Sequence, residues 1–504
     1  MSITQTLYAE ETQTTPVSTG HPWRRLGLLS ILLSLSIAFN IYLLLTAPAV
    51  DTQTDPFVAA WLLSFLPYLA ACIIVLVMKP QTGRLRWVEL GLLLVGALAL
   101  RAILLSVPPN LSHDSWRYLW DARVTLNGFS PYAHGPASPL YLSLRDFIYD
   151  NSRFRNVPTI YPPGAEIIYL LSYLIAPSNL FVLKGIFIGF DMVTCGALAF
   201  LLWRKGLDMS RCIIYAWCQL PVIEFAIQGH VDVTTITFTV LAIVCAGAHW
   251  RGSRAVTGFL IAMAVLTKIY PILFLLVVIR RRDWALLVTC AATIVIGYIP
   301  FLILGHGQVF GFFATYASQQ FGFTQLGIIW ICGLFSPDRA IATIVIYVFD
   351  VVLVGGISIA ILRLRWQNRI TMETGILLAI GAIFAVSSNL FPWYTTAFLP
   401  WIALLVGPLW TRQKSFNEGS LATIAAWYFA VFTITAYFKL WNVYYIQVYD
   451  VTLLALGVAL AIRIIKNKRT RQSKKQDLGA ALSVKWPIID PLRLLLGKHG
   501  KQKS

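Results

Sequence analysis

An all-α, polytopic transmembrane helical bundle of about 12 to 14 spans is the fold class this sequence predicts, on three observations. Of its 504 residues 58% are hydrophobic and only 12% charged, with a mean hydropathy of +0.70, a balance that a soluble domain of this size does not carry. Apolar runs of roughly 20 residues, the length of a helix crossing hydrocarbon, recur along the chain. Lys and Arg collect in the short gaps between those runs and in the tail, so the formal net charge of +18 marks membrane orientation and not a nucleic-acid groove.

In chain order, residues 1–22 are polar and Thr-rich. They lack the basic start, apolar core and small-residue cleavage site of a signal peptide, so they are expected to form a cytoplasmic tail ahead of a retained first helix. A transmembrane domain is expected over 23–465, with early spans at 25–46, 57–78 and 86–107. The segment 108–162, rich in Pro, Tyr, Trp and Arg, is a first large outer loop whose stretch 113–126 is patterned as an amphipathic helix lying at the interface. The run 163–176 is short, followed by spans near 182–203, 212–228 and 233–250. In 255–280 an apolar stretch is interrupted by Lys268-Ile269-Tyr270-Pro271, where proline removes a backbone donor and breaks the helix. Further spans follow at 284–304, 340–362, 372–388, 393–410, 420–439 and 447–465, with a second outer loop at 305–338. Residues 466–504 form a basic cytoplasmic tail with an apolar patch at Pro487–Leu496, either resting on the anionic leaflet or disordered.

Sidedness turns on 163–176. Counted as a full span, it puts Arg204, Lys205, Arg211, Arg251 and Arg254 outside; counted as a short re-entrant or surface helix, with 255–280 as a hairpin, it puts all five inside. The second count obeys the positive-inside rule. It brings Asp114, Asp121, Glu166, His230, Asp232, Lys268 and the Asn389–Trp393 turn to one non-cytoplasmic face of a plasma-membrane protein. The seven cysteines are scattered through apolar runs and read as small buried side chains.

Several of these groups can carry chemistry. Asp114, Arg117 and Asp121 share one helical face, either as a self-neutralised stripe or with Asp114 as an ionised acid near a helix start, capped by Asn110 or Ser112. Such an acid facing water can take a proton from a sugar hydroxyl. Arg123 follows, and Gly128-Phe129-Ser130-Pro131-Tyr132 reads as a turn back to the membrane surface. Tyr161-Pro162-Pro163 is rigid and opens a helix carrying Glu166 in its first turn, a cap or a substrate-binding acid. His230 and Asp232 stand in a loop between apolar segments, able to bind sugar hydroxyls, a phosphate or a metal, with helix capping the plainer role for Asp232. Lys268 either snorkels to the interface or meets a phosphate as a point charge. Phe391-Pro392-Trp393-Tyr394 is an aromatic-belt anchor or a wall for a sugar or isoprenoid.

Taken in order, His113–Arg123, Gly128–Tyr132, Tyr161–Pro163, Gly229–Asp232, Thr267–Pro271 and Pro392–Tyr394 resemble the GT-C superfamily. Within it the chain is similar to bacterial polyprenol-phosphate-mannose-dependent mannosyltransferases and, more distantly, to the catalytic subunit of the first GPI mannosyltransferase. The resemblance spans roughly residues 85 to 410. It implies a GT-C-like fold and an inverting transfer of a hexose, mannose by resemblance, from a polyprenyl-phosphate donor to a lipid-linked or glycan acceptor. Asp114 matches the loop acid that acts as base, with Asp121 the runner-up or an orienting partner. Arg117, Arg123, Tyr161, Glu166, His230, Asp232, Lys268 and Trp393 are the expected donor phosphate- and sugar-binding residues. One departure stands out: the acid-bearing loop follows the third span here and not the first, so either two helices are added at the front or the early spans are miscounted.

The residues call for no cofactor, and a divalent cation is compatible with them. The expected partners are the donor, the acceptor and membrane lipid, not nucleic acid. Two rival classes share many features. A lipid-linked saccharide transporter would place its polar residues at the midplane of broken helices, and only the Lys268 break fits. A polysaccharide polymerase or ligase would hold its catalytic residues in a later loop.

Overall fold

The computed structural model describes residues 23–48, 55–311, 339–387, 390–407, 418–437 and 457. The chain divides into two compact units, Met1–Thr411 with Glu418–Leu453, and Arg412–Asn417 with Leu454–Ser504. Every helix from Trp23 to Tyr437 belongs to the first. Both tails, most of the second outer loop, Asn389, Cys332 and the expected 447–465 span lie outside the described residues, Gly457 apart.

Every described element is helical. At the front, α1 (Trp23–Thr46), α2 (Asp55–Leu63), α3 (Phe65–Val77) and α4 (Gly83–Leu104) build three passes of spanning length, α2 and α3 being one run over Pro56–Val77. Three membrane-length helices therefore do precede the acid-bearing loop. After them come α5 (Asp114–Leu126), α6 (Phe147–Asn151), α7 (Pro163–Ile175), α8 (Leu180–Arg204), α9 (Ile213–Ala216), α10 (Gln219–Ala226), α11 (Asp232–Ala246) and α12 (Ser253–Thr267). The remainder comprises α13 (Leu275–Val278), α14 (Trp284–Leu304), α15 (Arg339–Trp366), α16 (Met372–Val386), α17 (Leu399–Leu405) and α18 (Glu418–Tyr437).

Among the described residues, six helices are long and apolar enough to cross a bilayer: α1, the α2–α3 run, α4, α8, α14 and α15. This is an integral membrane protein. The outward faces of α14 and α15 expose Val295, Ile296 and Val351, as lipid contact requires. Other apolar runs are shorter than hydropathy suggested. The expected span 212–228 is split into a 3-10 turn, α9 and α10, the second break falling at Trp217-Cys218, just before a helix that carries Pro221 in its first turn. The run 393–410 is a 3-10 turn over Pro392–Phe398 followed by α17. At 13 residues α7 reaches about 20 Å, less than the ~30 Å hydrocarbon thickness.

The interior around α8, α11 and α12 is tied by polar bonds that apolar surroundings strengthen. Thr194 and Thr237 hydroxyls lie 2.8 Å apart, as do those of Thr235 and Thr267, joining neighbouring helices as small polar residues do in membranes. On α4, Arg101 reaches Asp191 of α8 at 2.5 Å with both side chains fully buried, and donates to Ala216 O at 2.7 Å. Gly164 of α7 lets that helix touch α12: a Cβ there would meet Leu266 Cβ at 2.7 Å and Leu266 O at 2.9 Å. The close approach fixes Tyr161, just before α7, against Lys268, just after α12.

Candidate active site

Two helix starts carry an acid. Asp114 is the first residue of α5 and Asp232 the first of α11, where unpaired N–H groups and the helix dipole favour negative charge. Ser112 Oγ accepts from the Asp114 N–H at 3.2 Å, but the cap position is His113, whose side chain does not cap the helix, so neither Ser112 nor Asn110 is the expected cap. Asn110 has another task. Gln228 Oε1 accepts the N–H groups of Asn110, Leu111 and Ser112 at 3.1, 3.0 and 3.2 Å, and its amide donates to Asn110 Oδ1 at 2.8 Å. One buried glutamine thus ties the approach to α5 onto the loop before α11.

That loop turns at Gly229, φ +69°, where a Cβ would meet Lys184 Cγ at 3.1 Å and Ser115 Cβ at 3.2 Å. The turn delivers His230 beneath Asp114. His230 Nε2 lies 3.8 Å from Asp114 Oδ2 and Nδ1 lies 2.9 Å from Glu224 Oε2, with the imidazole fully buried. The ring stacks on Trp393 at 3.9 Å between centroids, and Trp393 stacks on Phe391 at 4.6 Å. Glu224 also accepts from Tyr437.

Opposite stands Lys268. The helix ends at Thr267, and Lys268 is extended, φ −148° and ψ 139°, three residues before Pro271. Its ammonium is 3.4 Å from Asp232 Oδ1 and lies over the rings of Tyr394 at 4.7 Å and Tyr161 at 5.6 Å. A cation held by one carboxylate and two aromatic faces retains an N–H for an anion. Tyr161 is itself placed by Tyr118, their hydroxyls 3.2 Å apart, and Tyr118 stacks on Tyr169 at 4.2 Å.

The carboxylate of Asp114 is a quarter exposed. Burial pushes its pKa up to about 6, while Lys268 pulls it down and Asp232 pushes it further up. A carboxyl poised there is ionised at neutral pH yet basic enough to share a proton.

Asp121 sits elsewhere on α5. It is 1% exposed and both its oxygens are taken by Arg117 Nε, at 2.8 and 3.0 Å; burial raises its carboxyl against the pull of Arg117. Glu166 is equally buried and accepts from Thr159 Oγ1 at 2.7 Å. Arg117 spends its remaining donors on Phe154 O and Val157 O, each at 3.0 Å. Arg123 reaches Leu144 O, Asp146, Tyr173 and Ser178. Both arginines, expected at a phosphate, are turned onto the outer loop, which they clamp to α5. The structure therefore brings Asp114, Tyr161, His230, Asp232, Lys268 and Trp393 together, and sets Asp121, Glu166, Arg117 and Arg123 behind them.

Sequence reading missed Glu224, Gln228 and Lys184. Lys184 is 2% exposed and donates to Val107 O at 2.6 Å, beside Gly229. A lysine one turn into an apolar helix was the available signal.

Residues 159–388 match the model of Glycosyltransferase family 87. The match covers a little under half of the chain, and includes Tyr161, Glu166, His230, Asp232 and Lys268 but not Asp114 or Trp393. No curated protein matches the chain. Among solved structures it is similar to ArnT from Cupriavidus metallidurans, bound there to undecaprenyl phosphate. The two are 13% identical, with 79% of this chain and 81% of that one covered and a TM-score of 0.36. A likeness that distant decides nothing about the chemistry of this site.

Proposed function

We propose that the protein is a membrane glycosyltransferase that moves a hexose from a polyprenyl-phosphate donor to a hydroxyl of a lipid-linked or glycan acceptor. Mannose is the sugar that the resemblance to polyprenol-phosphate-mannose enzymes favours. The non-cytoplasmic face is the one favoured by the distribution of Lys and Arg.

One observation carries the reading. A quarter-exposed carboxylate poised near neutrality, Asp114, stands in a shared site with an aromatic-caged ammonium, Lys268, and the stretch 159–388 that carries Lys268, Tyr161, His230 and Asp232 matches a glycosyltransferase family. A sugar linked to phosphate already carries a good leaving group, so the enzyme must chiefly supply a base and a cation.

In this reading Asp114 takes the proton of the acceptor hydroxyl as its oxygen attacks the anomeric carbon from the face opposite the phosphate. The bond from that carbon to the phosphate oxygen breaks, configuration inverts, and the polyprenyl phosphate leaves against Lys268. A preorganised ammonium in a low-dielectric cavity stabilises that developing charge. His230, stacked on Trp393, holds one side of Asp114, and Asp232 holds Lys268. Asp121, with Arg117 and Arg123, keeps the loop in place as an orienting partner.

The test is to incubate membranes containing the protein with radiolabelled polyprenyl-phosphate hexoses and identify which is consumed. Consumption of one donor, with label appearing in a new glycoside, is expected. Consumption of none would overturn the reading.

A further inference from the structure

The outer loop and His113, the residue before Asp114, line an open cavity of about 540 Å³, within the size range of small-molecule sites. His113, Asn151, Arg153, Phe154 and Asn156 are among its lining residues. The loop that builds it is fixed from several sides. Arg117 holds Phe154 O and Val157 O, Arg155 Nε donates to Ser152 O at 3.0 Å, and Ala137 N donates to Arg155 O at 2.8 Å. His113 Nδ1 lies 2.8 Å from Asn151 O, and the Arg153 guanidinium lies 3.3 Å from His113 Nε2. A cavity with so many backbone ties is preorganised.

Phe154 is the unexpected member. Its backbone is left-handed, φ +55°, a conformation costly for a bulky residue, and the residue is 73% exposed. An apolar ring turned outward at the rim of a cavity, next to an arginine and two asparagines, offers one flat face and several hydrogen-bonding groups. A pyranose presents the same combination, an apolar ring face edged by hydroxyls.

We infer that this cavity binds the acceptor saccharide, its sugar ring lying on Phe154 and its hydroxyls bonded by Arg153, Asn151 and Asn156. The inference rests on the glycosyltransferase reading for its direction. In an inverting displacement the attacking oxygen and the leaving phosphate lie on opposite faces of the anomeric carbon, so the acceptor needs a place of its own apart from Lys268, and this cavity has no Lys268 in its lining. His113 makes the cavity contiguous with Asp114 in the chain. Arg117, by pairing with Asp121 and gripping Phe154, is then a positioning residue for the acceptor.

The purified protein in nanodiscs, titrated with soluble α- and β-linked hexose disaccharides and read by saturation-transfer NMR, tests the site without needing turnover. Phe154→Gly suits the positive φ and removes only the ring, and Arg153→Gln keeps most of the side-chain length. At least one disaccharide should bind saturably, and each variant should weaken it by about tenfold while binding of polyprenyl phosphate stays unchanged. The absence of saturable binding, or affinities of both variants within about twofold of the parent, would overturn the inference. Saccharide binding with no donor consumed in the membrane assay would uphold the cavity and remove the glycosyltransferase reading. Active transfer with no effect of either variant on binding would do the reverse.

Discussion

The imidazole of His230 stands 3.8 Å from the carboxylate of Asp114 and is itself pinned between Trp393 and Glu224. This places a buried aromatic-backed ring where it limits the rotamers open to the acid. Asp114 also feels Lys268 and Asp232, with burial the largest influence and its pKa lifted to about 6.

A pH profile follows from that value. A base must be ionised, so the protonated form that dominates below about 6 is inactive, and the transfer rate should rise through that value and level off above it. Initial rates at saturating donor from about pH 5 to about pH 8 read this directly. A rate already level at about pH 5 would mean that the acid is an ordinary exposed carboxylate.

Lys268→Ala should raise the apparent KM for the donor by about tenfold or more, with Lys268→Arg intermediate because it keeps charge but not the compact ammonium. Donor titrations in membranes provide the comparison. An unaltered donor KM in the alanine variant would remove the phosphate role and leave Lys268 as the partner of Asp232, 3.4 Å away.

Gln228→Leu strands the three N–H groups that lead into α5. Buried donors without acceptors cost about 1–3 kcal/mol, and Asp114 loses its anchored approach. Turnover should fall while donor KM holds, and Gln228→Glu, which keeps an acceptor oxygen, should recover part of the loss. If the Glu variant falls as far as the Leu variant, the acceptor oxygen is not what holds the segment.

Much of this was readable in the sequence, for a reason that differs by residue. Asp114, Asp232 and Lys268 are charges beside apolar runs, and each sits at a helix end marked by a neighbouring turn or proline. Charge in lipid is costly enough to announce itself. Glu224 and Gln228 were not legible, because their work depends on His230 and on the backbone of 110–112, which only folding brings near. Arg117 and Arg123 misled for a related reason: an arginine next to a candidate base has the right charge for phosphate, but its donors are used on carbonyls between 21 and 40 residues further on. The split of 212–228 was hidden because hydropathy registers apolar length and not the interruption at Trp217-Cys218.

The buried ion pair in the bundle gives a prediction about the scaffold. Arg101→Leu leaves Asp191 uncompensated in an apolar interior and should cost about 3–5 kcal/mol. Replacing both partners, Arg101→Met with Asp191→Leu, should recover most of it. Thermal unfolding in detergent distinguishes the two; a single variant as stable as the parent would show that the pair contributes nothing to holding α4 against α8.

The central claim is that Asp114 removes the acceptor proton. Asp114→Asn preserves shape and removes the basic oxygen, so membranes carrying it should hold as much protein and bind donor as before, yet transfer label at least about a hundredfold more slowly. Transfer at the parent rate by Asp114→Asn would contradict the account.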